Sequence, residues 1–148
     1  MAYCTQADVE TAAGGLLNLV DITNLPAAPG QPISNQVNVD VLTGAIVDAD
    51  ALIDSFVAMK RAVPLLPVPK LIRRISAEET VYLLRSRRSF SDIDQVKHDA
   101  NVKWLVGFSR GENTLGVEPV PAKSSQVSPA VVLIGDLSFE GDRFKGLW

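Results

Sequence analysis

The sequence predicts an all-α protein of four main helices followed by an extended, partly β-prone C-terminal arm. In the segments up to about residue 110, apolar residues recur every three or four positions, which is the period of a helix. Residues typical of helix ends flank those segments. Beyond Gly111 this period stops, and the chain becomes rich in proline and serine. We therefore divide the 148 residues into a helical domain, 1–110, and an arm, 111–148.

The first helix is predicted over residues 5–20, with a break inside it. Thr5 followed three residues later by Asp8 is the pattern of a capping box with a shorter acid. The pair Gly14-Gly15 interrupts the helix. Prolines, asparagines and serines then predict a loop over residues 24–38.

The strongest helical period predicts a second helix over residues 39–60. Its apolar stripe consists of Leu42, Ala45 or Ile46, Ala49, Leu52 or Ile53, and Phe56. Lys60 and Arg61 close this helix, because cations are favourable at a helix C-terminus. Three prolines between residues 63 and 69 then require an extended connection.

Two further helices complete the domain, over residues 69–87 and 91–109. Pro69 suits the first turn of the third helix, and Ser91 with Asp94 forms a second capping pattern. The last helix is expected to bury a face made of Ile93, Val96 or Lys97, Ala100, Trp104 and Phe108.

The net charge of −3 conceals a segregation along the chain. Residues 1–59 carry seven acids and no base, whereas residues 60–110 carry eleven bases and five acids. Residues 111–148 carry three bases and five acids. This distribution excludes a uniformly basic nucleic-acid binder and predicts a charge-polarised molecule.

Two charged groups are the candidate subunit interface. The acidic group, on the second helix, consists of Asp48, Asp50 and Asp54. The basic group, on the third helix or at its end, consists of Arg73, Arg74, Arg85, Arg87 and Arg88. Contact between a basic and an acidic face of adjacent copies is head-to-tail and closes into a ring when the rotation allows. The same arginines leave open an alternative, a small DNA-binding helical module.

Nothing in the sequence predicts catalysis, a metal site or a cofactor. His98 is the only histidine, and Asp94 four residues earlier is its expected partner on the helix face. Cys4 is the only cysteine and lacks the companions of a catalytic thiol. We find no nucleotide-binding or hydrolase motif, no signal peptide and no membrane-spanning apolar run. The expectation is a protein that is not an enzyme.

The arm contains apolar, strand-prone residues that a compact helical domain does not need. A partner-binding role is predicted for Val131, Val132, Leu133, Ile134, Phe144 and Trp148. Such a segment either folds back as an edge ribbon or adds a strand to another chain.

Several stretches together resemble the Mu-like phage family of small head–tail connector proteins. They are residues 3–8 with 14–21, the Ile-Asp helix of residues 45–56 with its Pro-Leu and Val-Pro connection, residues 82–85, and residues 144–148. Residues 24–38 look like an insertion relative to that pattern.

This resemblance implies a helical adaptor of the virion neck, made in the cytoplasm of the bacterial host. Such proteins assemble as rings, commonly of twelve copies, beneath the portal protein. They extend the channel through which DNA passes, without sequence-specific binding, and offer a platform to the next connector or tail protein. In related adaptors a C-terminal extension reaches towards the portal, which matches residues 111–148 here.

Overall fold

A computed structural model of the chain describes residues 2–24, 34–88 and 91–115. Contacts along the backbone divide the chain into one unit of residues 1–118 and another of residues 119–148. The described residues of the first unit form α-helices and no strand, so the all-α class is confirmed for this part. The helices are α1 (Gln6–Ala13), α2 (Leu16–Thr23), α3 (Val39–Val57), α4 (Lys70–Ser86) and α5 (Asp92–Arg110).

The described ranges therefore hold five helices rather than four, because the break in the first predicted helix separates α1 from α2. Gly14 and Gly15 have φ angles of +87° and +119°, values that L side chains rarely adopt. The Gly15 amide donates to the Glu10 carbonyl at 2.9 Å and closes the end of α1. At the other end of α1, Thr5 and Asp8 form the predicted capping box.

The other helix limits lie close to those predicted, with one exception. Helices α4 and α5 begin and end within one residue of the expected positions, and Ser91 and Asp94 form the second capping box. Helix α3, in contrast, ends at Val57. Lys60 and Arg61 consequently lie beyond its last turn rather than within it.

Helix α4 is the central element and packs against each of the other four helices. Its buried residues surround most of the helix rather than forming one stripe: Ile72, Ile75, Ser76, Ala77, Glu79, Thr80, Val81 and Leu84. Several of them are polar, so their hydrogen bonds must be satisfied inside the bundle.

Two apolar clusters lie along the α3–α4 pair. The first joins α1, α2, the beginning of α3 and the later part of α4: Cys4, Val9, Ala13, Leu19, Ile22, Leu42, Ile46, Ala77, Val81 and Leu84. The second joins the end of α3, the beginning of α4 and the end of α5: Tyr3, Ile53, Val57, Leu65, Ile72, Ile75, Leu105, Phe108 and Leu115. Because Leu115 belongs to the second cluster, packing of the helical body continues past residue 110.

The predicted buried face of α5 is wrong for the first half of that helix. Ile93 and Val96 are each 67% exposed, whereas Asp94 and Asn101 are buried. The reason is that the inward side chains of this half pair with polar groups of α4, a partnership that sequence spacing cannot reveal. Apolar packing resumes only at Leu105 and Phe108.

Candidate interaction surfaces

The arginines of α4 do not form one basic face. Arg73 and Arg74 lie exposed in the first half of the helix, whereas Arg85 is only partly exposed near its end. Arg74 has a long contact of 3.7 Å with Glu78 one turn later, and its side chain remains 66% exposed. The predicted basic set is therefore divided between the outside and the inside of the bundle.

Arg85 belongs to an interhelical network. Its guanidinium donates to Asp94 of α5 at 2.5 Å and to the carbonyl of Ala13 at the end of α1 at 3.2 Å. Burial opposes the charge of Asp94, but hydrogen bonds from Ser91 and Arg85 and the charge of Arg85 outweigh it and lower the pKa of Asp94. Arg85 thus joins three helices and is committed to the fold.

Arg87 and Arg88, at the end of α4, have different surroundings. Arg88 forms an ion pair with Asp21 of α2 at 2.8 Å and also donates to the carbonyl of Asn24. Arg87 lines an open groove beside α3.

Asp50 and Asp54, predicted to form an acidic surface, are bound to the N-terminal segment instead. Asp50 is 7% exposed and accepts hydrogen bonds from the Tyr3 amide at 2.9 Å and from the Ser76 hydroxyl at 2.6 Å. It lies between the two apolar clusters and connects the chain start to α4. The expectation that Asp50 is solvated or faces a partner is therefore corrected.

Tyr3 connects the same region to the end of α3. Its hydroxyl donates to Asp54 and accepts from the Leu65 amide at 3.2 Å. Burial, followed by the hydrogen bond to Asp54, raises the pKa of Tyr3 from 10.0 to about 12. Cys4, next to Tyr3 in the chain, is also buried, and burial raises the pKa of its thiol.

His98 has a different partner from the one expected. It contacts Glu79 of α4 at 2.7 Å and stacks on Tyr82, with ring centroids 4.1 Å apart. Asn101 donates to both Glu78 and Glu79, at 3.0 Å and 3.2 Å. Because Asp94 is engaged by Arg85, the predicted pairing of His98 with Asp94 is wrong, although His98 does serve the structure.

An open basic groove of about 470 Å³ lies between α1, α4 and α5. Four of its lining residues are cations and two are acids: Lys70, Arg73, Arg74 and Lys97, with Asp8 and Glu78. The remaining lining residues are Thr11, Ala12 and Ala77. Hydrogen bonds from the amide and hydroxyl of Thr5, helped by the charge of Arg73, lower the pKa of Asp8. We call this site the basic groove.

The outer side of α3 carries the remaining acids. The exposed residues of α3 include no base. They are Val39, Asp40, Thr43, Gly44, Val47, Asp48, Ala51 and Ser55. A second groove of about 350 Å³ runs between this side and the end of α4, lined by Asp40, Gly44, Asp48 and Arg87 among others. We call the exposed side of α3 the acidic face. Of the three predicted acids, it retains Asp48.

Two cations of the basic groove and one acid of the acidic face were not among the predicted interface residues: Lys70, Lys97 and Asp40. Lys97 was not predicted because it lies on α5, whereas the other lining residues of the basic groove lie on α1 and α4. Asp40 was absent although it stands two helical turns before Asp48, a spacing that places both acids on one side of α3. That spacing is the signal that could have identified it.

The described part of the chain holds neither a metal site nor a helix that could span a membrane. In residues 2–24, 34–88 and 91–115, no group of histidines, cysteines and carboxylates is arranged to hold a metal ion. Across the same ranges, none of the helices has the length and apolar character needed to cross a membrane. The predicted partner-binding residues of the arm, Val131, Val132, Leu133, Ile134, Phe144 and Trp148, lie outside the described residues.

Comparison with known protein families gives one match. A family model described as "Bacteriophage Mu, Gp36" matches residues 3–132, which include the whole helical body. Among the curated proteins, no match is found.

Proposed function

The chain belongs to the bacteriophage Mu Gp36 family, and on that premise we propose that it is a structural head–tail connector of a tailed phage. In this role it is not an enzyme, and it needs no cofactor. Copies of the chain form a ring of twelve beneath the portal protein, in the neck of the virion. The ring extends the channel for the DNA and carries the next connector or tail protein.

The observation that carries the proposal is the family match over residues 3–132, since it covers all five helices. The distribution of charge supports it. Inside the bundle Arg85, Asp94 and Asp50 are satisfied by hydrogen bonds and ion pairs. Outside, a basic groove and an acidic face remain, which suits a protein whose work is to contact other proteins.

Interrupting the gene in its phage tests this role. We expect filled heads and separate tails to accumulate, because the structure that joins them is missing. Purified full-length protein added to that lysate should restore joined, infectious particles, as counted by plaques and negative-stain microscopy. Normal particles from the interrupted phage would overturn the proposal.

The same complementation assay tests the arm. A protein ending at residue 118 retains Asn113, which donates to the Trp104 carbonyl at 2.9 Å, and buried Leu115. We expect this truncated protein to fold with unchanged helix content, to fail to bind purified portal protein, and to fail to join heads to tails. Portal binding at full-length affinity would refute the role of the arm.

A second candidate function is DNA binding through the basic groove. Lys70, Arg73, Arg74 and Lys97 surround one concave site, and phosphates are contacted by such cations. Asp8 and Glu78 in the same groove and the net charge of −3 oppose it. Titration of duplex DNA over a range of salt concentrations distinguishes the two, because a DNA-binding module predicts tight binding that falls steeply with salt.

A further inference from the structure

We infer that the basic groove of one copy binds the acidic face of α3 on the next copy. This inference rests on the proposed function, because it assigns the surfaces through which copies of the connector join. It keeps Arg73, Arg74 and Asp48 from the interface predicted from the sequence and adds Lys70, Lys97 and Asp40.

The cations of the basic groove have little to neutralise them within their own copy. Lys70, Arg73 and Lys97 form no ion pair among the residues that the structure describes. Arg74 has only its long contact with Glu78. Four cations against two carboxylates leave this concave site with an excess of positive charge. An acidic protein surface is its natural ligand.

The acidic face has the complementary properties. Neither Asp40 nor Asp48 forms an ion pair with any described residue. The two carboxylates stand eight residues apart, which is about 12 Å along a helix that rises 1.5 Å per residue. Val47 beside them is 60% exposed. The face therefore offers two anions and an exposed apolar side chain to a neighbouring molecule.

The shape of the acidic face also permits close approach. Gly44 lies between the two acids, and a Cβ atom added there would meet no other atom within 4 Å. The α3 backbone is thus open to a neighbour at this point. In the basic groove, Ala12 and Ala77 contribute only small side chains to the lining.

The two surfaces are different parts of the molecule, so their contact joins unlike patches. The basic groove involves the first half of α4, from Lys70 to Glu78, whereas the groove beside the acidic face reaches Leu83 to Arg87 at its end. A contact between unlike patches leaves one of each free after every addition. It produces a ring when the rotation closes.

Two charge-reversal variants test the assignment. Arg73→Glu/Arg74→Glu disables the basic groove and keeps the acidic face, and Asp40→Lys/Asp48→Lys does the opposite. We expect each variant alone to self-associate at least about 100-fold more weakly than the unmodified protein, because like charges then face each other. Sedimentation velocity measures this over a range of protein concentrations.

Mixing the two variants gives the sharper result. The intact groove of one fits the intact face of the other, and the reversed groove of the first fits the reversed face of the second. The mixture should therefore co-assemble although neither variant does so alone. Combining all four substitutions in one chain exchanges the two charges and should restore self-association. Lys60→Glu/Lys103→Glu is the matched control, since both lysines are exposed outside the two surfaces. This control should assemble normally.

Several outcomes would contradict this assignment of the interface. Unchanged self-association of either variant, failure of the two variants to co-assemble when mixed, or an unmodified protein that stays monomeric at high concentration would overturn the inference. So would a groove variant that loses only duplex DNA binding. Circular dichroism checks that each variant folds, and Arg73→Gln/Arg74→Gln replaces the first variant if it does not. A ring formed by the unmodified protein, with no co-assembly of the two mixed variants, refutes this interface alone, whereas normal particles from the interrupted phage refute the connector role.

Discussion

The charges inside the α3–α4 pair and those outside it are used in opposite ways. Arg85 and Asp50 each hold partners from two other segments of the chain. Arg74 and Asp48, on the same two helices, face solvent. Residues of the same chemical type therefore either hold the helices together or stay available for a neighbour, according to which side of the helix they occupy.

The largest effect is expected when Arg85 is removed. Arg85→Ala should lower the free energy of unfolding by about 2–3 kcal/mol, because buried Asp94 loses its ion pair and the Ala13 carbonyl loses a donor. Arg74→Ala, the matched exposed change, should stay within about 0.5 kcal/mol. Urea denaturation measures both, and equal losses would contradict the division of α4 into inner and outer arginines.

A smaller effect is expected at Asp50. Asp50→Ala leaves the Tyr3 amide and the Ser76 hydroxyl without their acceptor and should cost about 1–3 kcal/mol. Asp48→Ala changes an exposed carboxylate and should alter stability by no more than about 0.5 kcal/mol. If thermal and urea unfolding rank the two variants in the reverse order, the buried polar contact between α3 and α4 is not stabilising.

The smallest effect at neutral pH is expected for Tyr3→Phe, about 1 kcal/mol. The distinctive effect of this substitution on stability appears at alkaline pH. The pKa of Tyr3 is raised to about 12 in the fold, so an unfolded chain loses this proton near pH 10 while the folded chain keeps it. Stability from this group is thus complete below pH 10 and is lost as the pH rises to about 12.

The measurement is stability against pH for the unmodified protein and the variant. Tyr3→Phe should lack this alkaline component, whereas the control Tyr82→Phe, which removes a hydroxyl that donates to Gln95 at 3.2 Å, should retain it. Identical alkaline profiles for Tyr3→Phe and the unmodified protein would show that the Tyr3 hydroxyl is not held as described.

The sequence was sufficient for the features that depend on local rules. The caps at Thr5 and Ser91 and the apolar stripe of α3 follow from neighbours on one helix, and each is present in the fold. The resemblance to a Mu-like phage family, carried by short stretches, is confirmed by the family match.

The features that depend on a second helix could not be predicted in this way. The inward positions of Asp94, His98 and Asn101 depend on their partners, Arg85, Glu79 and Glu78, which lie on α4. The same holds for Asp50, whose partners come from the chain start and from α4. In the sequence, a buried charged residue cannot be distinguished from an exposed one unless its partner is known.

The uneven inner side of α5 has a consequence for motion. Its second half is held by Leu105 and Phe108 in an apolar cluster, while its first half is held by ion pairs and hydrogen bonds that water can replace. We therefore expect the first half to open locally without uncovering that cluster, so that its amide protons exchange with solvent faster than those of the second half.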